Sequence, residues 1–102
     1  MTGFSQGDII SISGYGKKAF LIVSKNAFIK STGVFHICPI MNIPNGPLHI
    51  DISGNKGIAG TVVCEQIKLI DPSARGCSKI DDIPYADIMN ISDAIQGMFE
   101  YD

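Results

Sequence analysis

A mainly β fold, a small antiparallel barrel with a C-terminal α-helix, is what this sequence predicts, and three observations predict it. Short runs rich in β-branched and aromatic residues fill the first two thirds of the chain. Clusters of Gly, Pro, Asn and Ser separate them. From Pro84 onward the apolar period lengthens from two to three and four. Strands are expected over Asp8–Ser13, Ala19–Ser24, Val34–Ile40, Leu48–Ile52 and Thr61–Leu69. The turns between them are expected at Ser13-Gly14-Tyr15-Gly16, Lys30-Ser31-Thr32-Gly33, Asn42 to Pro47 and Ser53 to Gly57. Close spacing of this kind suits a bent sheet or small barrel.

The second run, Phe20-Leu21-Ile22-Val23, is apolar on both faces, as a central strand is, and its second face needs a helix or a partner subunit to cover it. The fourth alternates, with Leu48, Ile50 and Ile52 inward and His49 and Asp51 outward, so His49 is expected to be accessible. Ile88, Ile91, Ile95, Met98 and Phe99 form one stripe of a helix that packs on the sheet. Pro84 suits the first turn of that helix, and Asp81 and Asp82 stand where its positive end favours carboxylates.

With 102 residues and 45% hydrophobic side chains the chain has material for one domain, 1–102, and a modest core. A formal charge of −2 and a pI near 5.5 exclude nucleic-acid binding through bulk positive field, leaving only a local cationic patch. Cys38, Cys64 and Cys77 cannot all pair within one chain and show no metal-ligand spacing, so neither a structural zinc nor any other cofactor is expected. No apolar run approaches the ~18 residues that cross a bilayer, and no cationic leader opens the chain. A cytoplasmic chain with reduced thiols, away from the membrane, is the expectation.

The most informative stretch is Gly60 to Asp71 with Ala74-Arg75-Gly76, where an apolar strand delivers Glu65 and Gln66 together. Partial burial behind Val62-Val63-Cys64 would raise the Glu65 pKa toward that of a useful base. Alternatively Glu65 is a solvated carboxylate paired with Lys68 or Lys79. Lys17 and Lys18 follow a glycine-rich loop that lets a phosphate approach, or simply face solvent. Tyr15 offers a face for an unpaired base or caps the sheet edge. Asn42 binds a phosphate or base edge, or sets the turn before Pro44. His49 is the accessible imidazole, whereas His36, between Phe35 and Ile37, reads as structural. Arg75, the sole arginine, is expected to bind loop carbonyls or carboxylates, and Gly7-Asp8 to start the first strand.

Together, Gly7-Asp8-Ile9-Ile10, Leu21-Ile22-Val23-Ser24, Glu65-Gln66 and Ala74-Arg75-Gly76 resemble the PemK/MazF family of endoribonuclease toxins from bacterial type II toxin-antitoxin systems, over roughly residues 7 to 99. The resemblance implies a small SH3-like toxin barrel, a homodimer, metal-independent and sequence-restricted cleavage of single-stranded RNA by 2′-OH attack, and a cognate antitoxin protein as partner. It implies Glu65 as base, Lys18 as the phosphate-facing cation and His49 or Lys17 as proton donor, with Lys17, Tyr15, Asn42 and Gln66 on RNA. The chain departs from the family in having Lys18 for its Arg, Ala19 for its Pro and Met41 where a Thr is usual, and its first loop carries neither Glu nor His. Lysine keeps the charge but loses the guanidinium fork, and methionine donates no hydrogen bond. The alternative is therefore a catalytically degenerate or non-nuclease toxin of the same fold that binds RNA, antitoxin or another protein. The related gyrase-poisoning toxins are a poor fit, because their C-terminal Trp-Gly-Ile has no counterpart in a chain without tryptophan.

Overall fold

The computed structural model describes residues 3–99. In it, β1 (Asp8–Ile12), β2 (Ala19–Ile22), β3 (Phe35–Met41), β4 (His49–Ser53), β5 (Ala59–Val63), β6 (Lys68–Ile70) and β7 (Cys77–Asp82) form one antiparallel sheet. Two helices, α1 (Asn26–Thr32) and α2 (Tyr85–Met98), complete it. The sheet runs β4-β5-β3-β2-β1-β7, with β6 also on β3. The expected mainly β fold with a C-terminal helix is what the chain adopts.

β2 lies mid-sheet and its doubly apolar sequence serves two cores. Leu21 joins Ile9, Cys38, Ile52, Val62, Cys64, Ile83 and Ile91 on one side. Phe20 and Ile22 join Ile10, Ile12, Ile29, Phe35, Ile37 and Ile70 on the other. Each such aliphatic side chain contributes ~1.5–3 kcal/mol when fully buried. The second face of β2 is thus covered from within the chain, by Ile29 of α1 and Ile70 of β6 among others, so it gives no support to a dimer. Cys38 and Cys64 are buried there as small apolar groups, and burial pushes their thiols up to about 12 and about 11.

The run expected as one strand over Thr61–Leu69 is broken into β5 and β6, so that Glu65 and Gln66 lie in the connection between two strands and not at the end of one. Two further elements were not expected. α1 occupies Asn26–Thr32, where a turn through Lys30 to Gly33 was expected, and ends on Gly33 at φ 75°. β7 is a polar edge strand that contains Asp81 and Asp82, so these carboxylates belong to a strand and not to the approach to α2. Nor does the stripe of α2 extend as far as expected. Ile88, Ile91 and Ile95 pack on the core, but the helix ends at Met98 and Phe99 is exposed.

Asp81 explains how the sheet curls. Its side chain is fully buried on one edge strand and accepts hydrogen bonds from Lys56 N at 2.7 Å and Ile58 N at 2.9 Å, both in the turn joining β4 to β5 at the opposite edge. Asn55 N donates to Asp82 O across the same seam at 2.8 Å. The two edges are thereby stapled without a continuous ladder. Gly54 leaves the room, since a Cβ there would lie 2.1 Å from Asp81 Oδ2.

Gly7 has a comparable role before β1. It adopts φ 90°, donates to Ile22 O, accepts from Ile83 N, and faces Ile88 so closely that a Cβ would lie 2.4 Å from that side chain. Gly7→Ala combines positive-φ strain with a clash under α2 and is expected to lower unfolding stability by ~1–3 kcal/mol in urea titrations. An unchanged midpoint would mean that α2 shifts freely.

Candidate functional site

Pro39 is an unusual residue for an interior strand, because it has no N–H for a ladder. β3 pairs with β6 through Phe35, His36 and Ile37, then with β5 through Ile40 and Met41. Pro39 stands at the changeover, where the second ladder is interrupted. The β5–β6 connection swings away from β3 at this point, and a cleft of about 570 Å³ opens beneath it. Its polar lining comes from Tyr15 and Lys18 of the β1–β2 loop, Asn42 after β3, and Gln66 and Lys68 at the β5–β6 connection. Pro39, Met41 and Ile67 are among its apolar walls. A volume of this order suits a nucleotide-sized group.

Beside Gln66 in the chain, Glu65 and His49 form a pair. His49 is carried outward by the alternation of β4, and its Nε2 lies 2.8 Å from Glu65 Oε2. Neither is among the residues lining the cleft. The expectation that burial would raise the Glu65 pKa is overturned. The side chain is 43% exposed, and the hydrogen bond from His49, with a further backbone hydrogen bond, holds the carboxyl below its usual range. Its partner is His49, and neither Lys68 nor Lys79 pairs with it; Lys79 instead bridges Asp8 and Asp82 at 3.3 and 3.1 Å.

A family model for the "PemK-like, MazF-like toxin of type II toxin-antitoxin system" matches residues 6–99. The chain belongs to this toxin family. Among solved structures it is similar to MazF in a MazE-MazF complex (Form-I) from Deinococcus radiodurans, with TM-score 0.79, 18% identity and coverage of 93% of this chain and 94% of that one. It is also similar to an endoribonuclease in complex with its cognate antitoxin from a mycobacterial species, with TM-score 0.79, 19% identity and coverage of 97% and 99%. At these identities the likeness shows the fold. No curated protein matches the chain.

Of the residues singled out in the sequence, the toxin brings Tyr15, Lys18, Asn42 and Gln66 into one cleft and joins Glu65 to His49 outside it. Lys17 lines a neighbouring hollow of about 390 Å³ that shares Lys18, Met41 and Asn42 with the cleft. His36 is structural: its Nδ1 lies 2.8 Å from Ser24 Oγ and its ring lies against Phe28 at 5.2 Å. Two cations were not assigned to the site by sequence. Lys68 Nζ lies 5.6 Å from the Tyr15 ring centroid, and Arg75 Nη1 donates to Tyr15 Oη at 3.0 Å. Arg75 therefore binds a phenol and not the loop carbonyls or carboxylates expected. Lys17, Lys18, Lys68 and Arg75 are four of the eight basic residues in an acidic chain, so the positive patch is local. Among the described residues no helix is long and apolar enough to cross a membrane, and no three His, Cys, Asp or Glu side chains cluster as metal ligands do.

Proposed function

We propose that the toxin is a metal-independent endoribonuclease, cutting single-stranded RNA at restricted sequences to a 2′,3′-cyclic phosphate and a 5′-hydroxyl. The observation that carries the reading is the cleft in which Lys18, Gln66 and Lys68 surround Tyr15, in a chain of this toxin family. RNA contains its own nucleophile in the 2′-OH, so the protein needs only to accept that proton, supply another to the leaving oxygen and stabilise charge on the phosphate. Lys18 faces the phosphate oxygens, while Tyr15, Asn42, Gln66 and Lys17 hold the flanking nucleotides. The lowered proton affinity of Glu65 supports a division of labour in which the carboxylate orients His49 and the imidazole takes the 2′-OH proton. Two copies acting together in the cytoplasm, restrained by a cognate antitoxin whose extended segment occupies the cleft, complete the reading. That partner is in keeping with the antitoxin complexes of the solved relatives.

Met41 favours a second reading. It is 43% exposed and lines the cleft without a hydrogen bond to offer, which fits a toxin that binds RNA, antitoxin or another protein without cutting. Incubation of the purified toxin with a long RNA in EDTA, followed by end analysis, separates the two. Cleavage to cyclic phosphate ends, reduced ~10²-fold or more by His49→Ala and less by Glu65→Gln, supports the nuclease. Intact RNA with retained binding supports the second reading.

A further inference from the structure

Cleavage of the P–O5′ bond leaves an alkoxide that needs a proton, and neither the Glu65–His49 pair nor Lys18 is assigned to supply it in the reading above. On that reading, we propose that the Tyr15 hydroxyl donates this proton, with Arg75 and Lys68 as positioning residues that carry the charge the phenol acquires.

The geometry is specific. Tyr15 is half-buried and lines the same cleft as Lys18 and Gln66. Its ring is fixed edge-on against Phe20, centroids 5.5 Å apart at 89°. Arg75 Nη1 donates to the phenol oxygen, so the phenol's own hydrogen is not used in that bond and remains available to an acceptor in the cleft. The Arg75 guanidinium carbon also lies 5.2 Å from the ring centroid, and Lys68 Nζ 5.6 Å. Arg75 is held there by its loop. Its N–H and that of Ala74 bond to Asp71 O, and Ser13 N donates to Gly76 O at 2.8 Å, tying that loop to the one bearing Tyr15.

The charged groups that act on the phenol are Arg75 from the β6–β7 connection and Lys68 from β6, with Lys18 lining the same cleft. Partial burial raises the Tyr15 pKa, but the Arg75 and Lys68 charges and hydrogen bonds outweigh it and leave the phenol below its ordinary value. A phenol so placed is a stronger acid than a free tyrosine, and its conjugate base is paired.

The step balances without a co-reactant. The 2′-oxygen bonds to phosphorus as His49 takes its proton, the P–O5′ bond breaks with its electron pair going to O5′, and O5′ takes the Tyr15 proton. Imidazolium and phenolate then exchange protons with solvent, which restores both groups.

The test uses the shortest RNA oligonucleotide that the wild-type toxin cuts, made with either oxygen or sulfur at the 5′-bridging position. A thiolate leaves without a proton donor. Tyr15→Phe is expected to lower kcat/KM ~10²–10⁴-fold on the oxygen substrate yet stay within about tenfold of wild type on the sulfur one. Arg75→Met is expected to move the alkaline limb of the pH profile upward, and 3-fluorotyrosine at position 15 to move it downward. Equal loss on both substrates, no loss, or a limb that ignores the fluorine overturns the proposal. Failure of the wild-type toxin to cut any RNA overturns the nuclease reading itself and is a separate result.

Discussion

Asp81→Ala is expected to lower the melting temperature by roughly 10 °C or more, the largest stability loss of any single polar substitution in this chain. The fully buried carboxylate accepts from Lys56 N, Ile58 N and Asp82 N at 2.7, 2.9 and 2.8 Å. Alanine strands those donors and leaves a void at the seam where β7 meets the β4–β5 turn. Asp81→Asn, which keeps the volume but turns an amide toward backbone donors, is expected to lose most of the same stability. Thermal melting by circular dichroism checks both, and a shift under about 3 °C would mean that the seam does not hold the barrel.

The same residue sets a pH dependence. Burial raises its pKa, but the three backbone N–H groups outweigh burial and hold it below the ordinary carboxylate value. The unfolded chain therefore takes up the proton first on acidification. The stabilisation is complete above pH ~4–5 and is lost as the pH falls through the folded-state pKa. Asp51, Glu65, Asp71 and Asp82 are lowered as well and act in the same direction. The Asp81→Asn variant should accordingly retain some acid dependence, but a shallower one than the native chain.

Periodicity revealed the strands whose faces differ, and β4 is the clearest case: alternation placed Ile52 in the core and His49 outside, as observed. It could not reveal β7, a largely polar strand whose Ile80 is exposed and whose one fully buried residue is a carboxylate. Nor could it reveal α1, a seven-residue helix with one buried side chain and no side-chain N-cap. The cleft was legible as a set of polar residues on loops but not as a place, because its existence depends on β3 changing partners at Pro39, a tertiary event. For the same reason Lys68, far from Tyr15 in sequence, reads from sequence only as a candidate partner of Glu65, and Arg75 as a ligand of loop carbonyls or carboxylates. The doubly apolar β2 was correctly central, yet its second face is covered by α1 and β6, which local pattern cannot distinguish from a partner subunit.

At Lys18 a large effect on function is expected, in binding as well as in cleavage. It lies exposed in the cleft with Tyr15 and Gln66. Lys18→Ala is expected to reduce kcat/KM for RNA cleavage ~10²–10³-fold, the size of loss seen when one charge-stabilising donor is removed from a transition state. Lys18→Arg separates charge from geometry. A guanidinium brings two parallel donors to a phosphate where an ammonium brings a point charge, so the variant should cut at least as fast as the native toxin. Binding follows a different rule. Both lysine and arginine neutralise one phosphate, so the slope of log K against log salt should fall by about one for alanine and stay unchanged for arginine. A loss in binding slope without a loss in kcat would confine Lys18 to holding RNA, whereas unchanged values of both would remove it from the site. If cleavage is absent in the native chain but appears in Lys18→Arg, the second reading of a binding toxin gains its physical cause in one side chain.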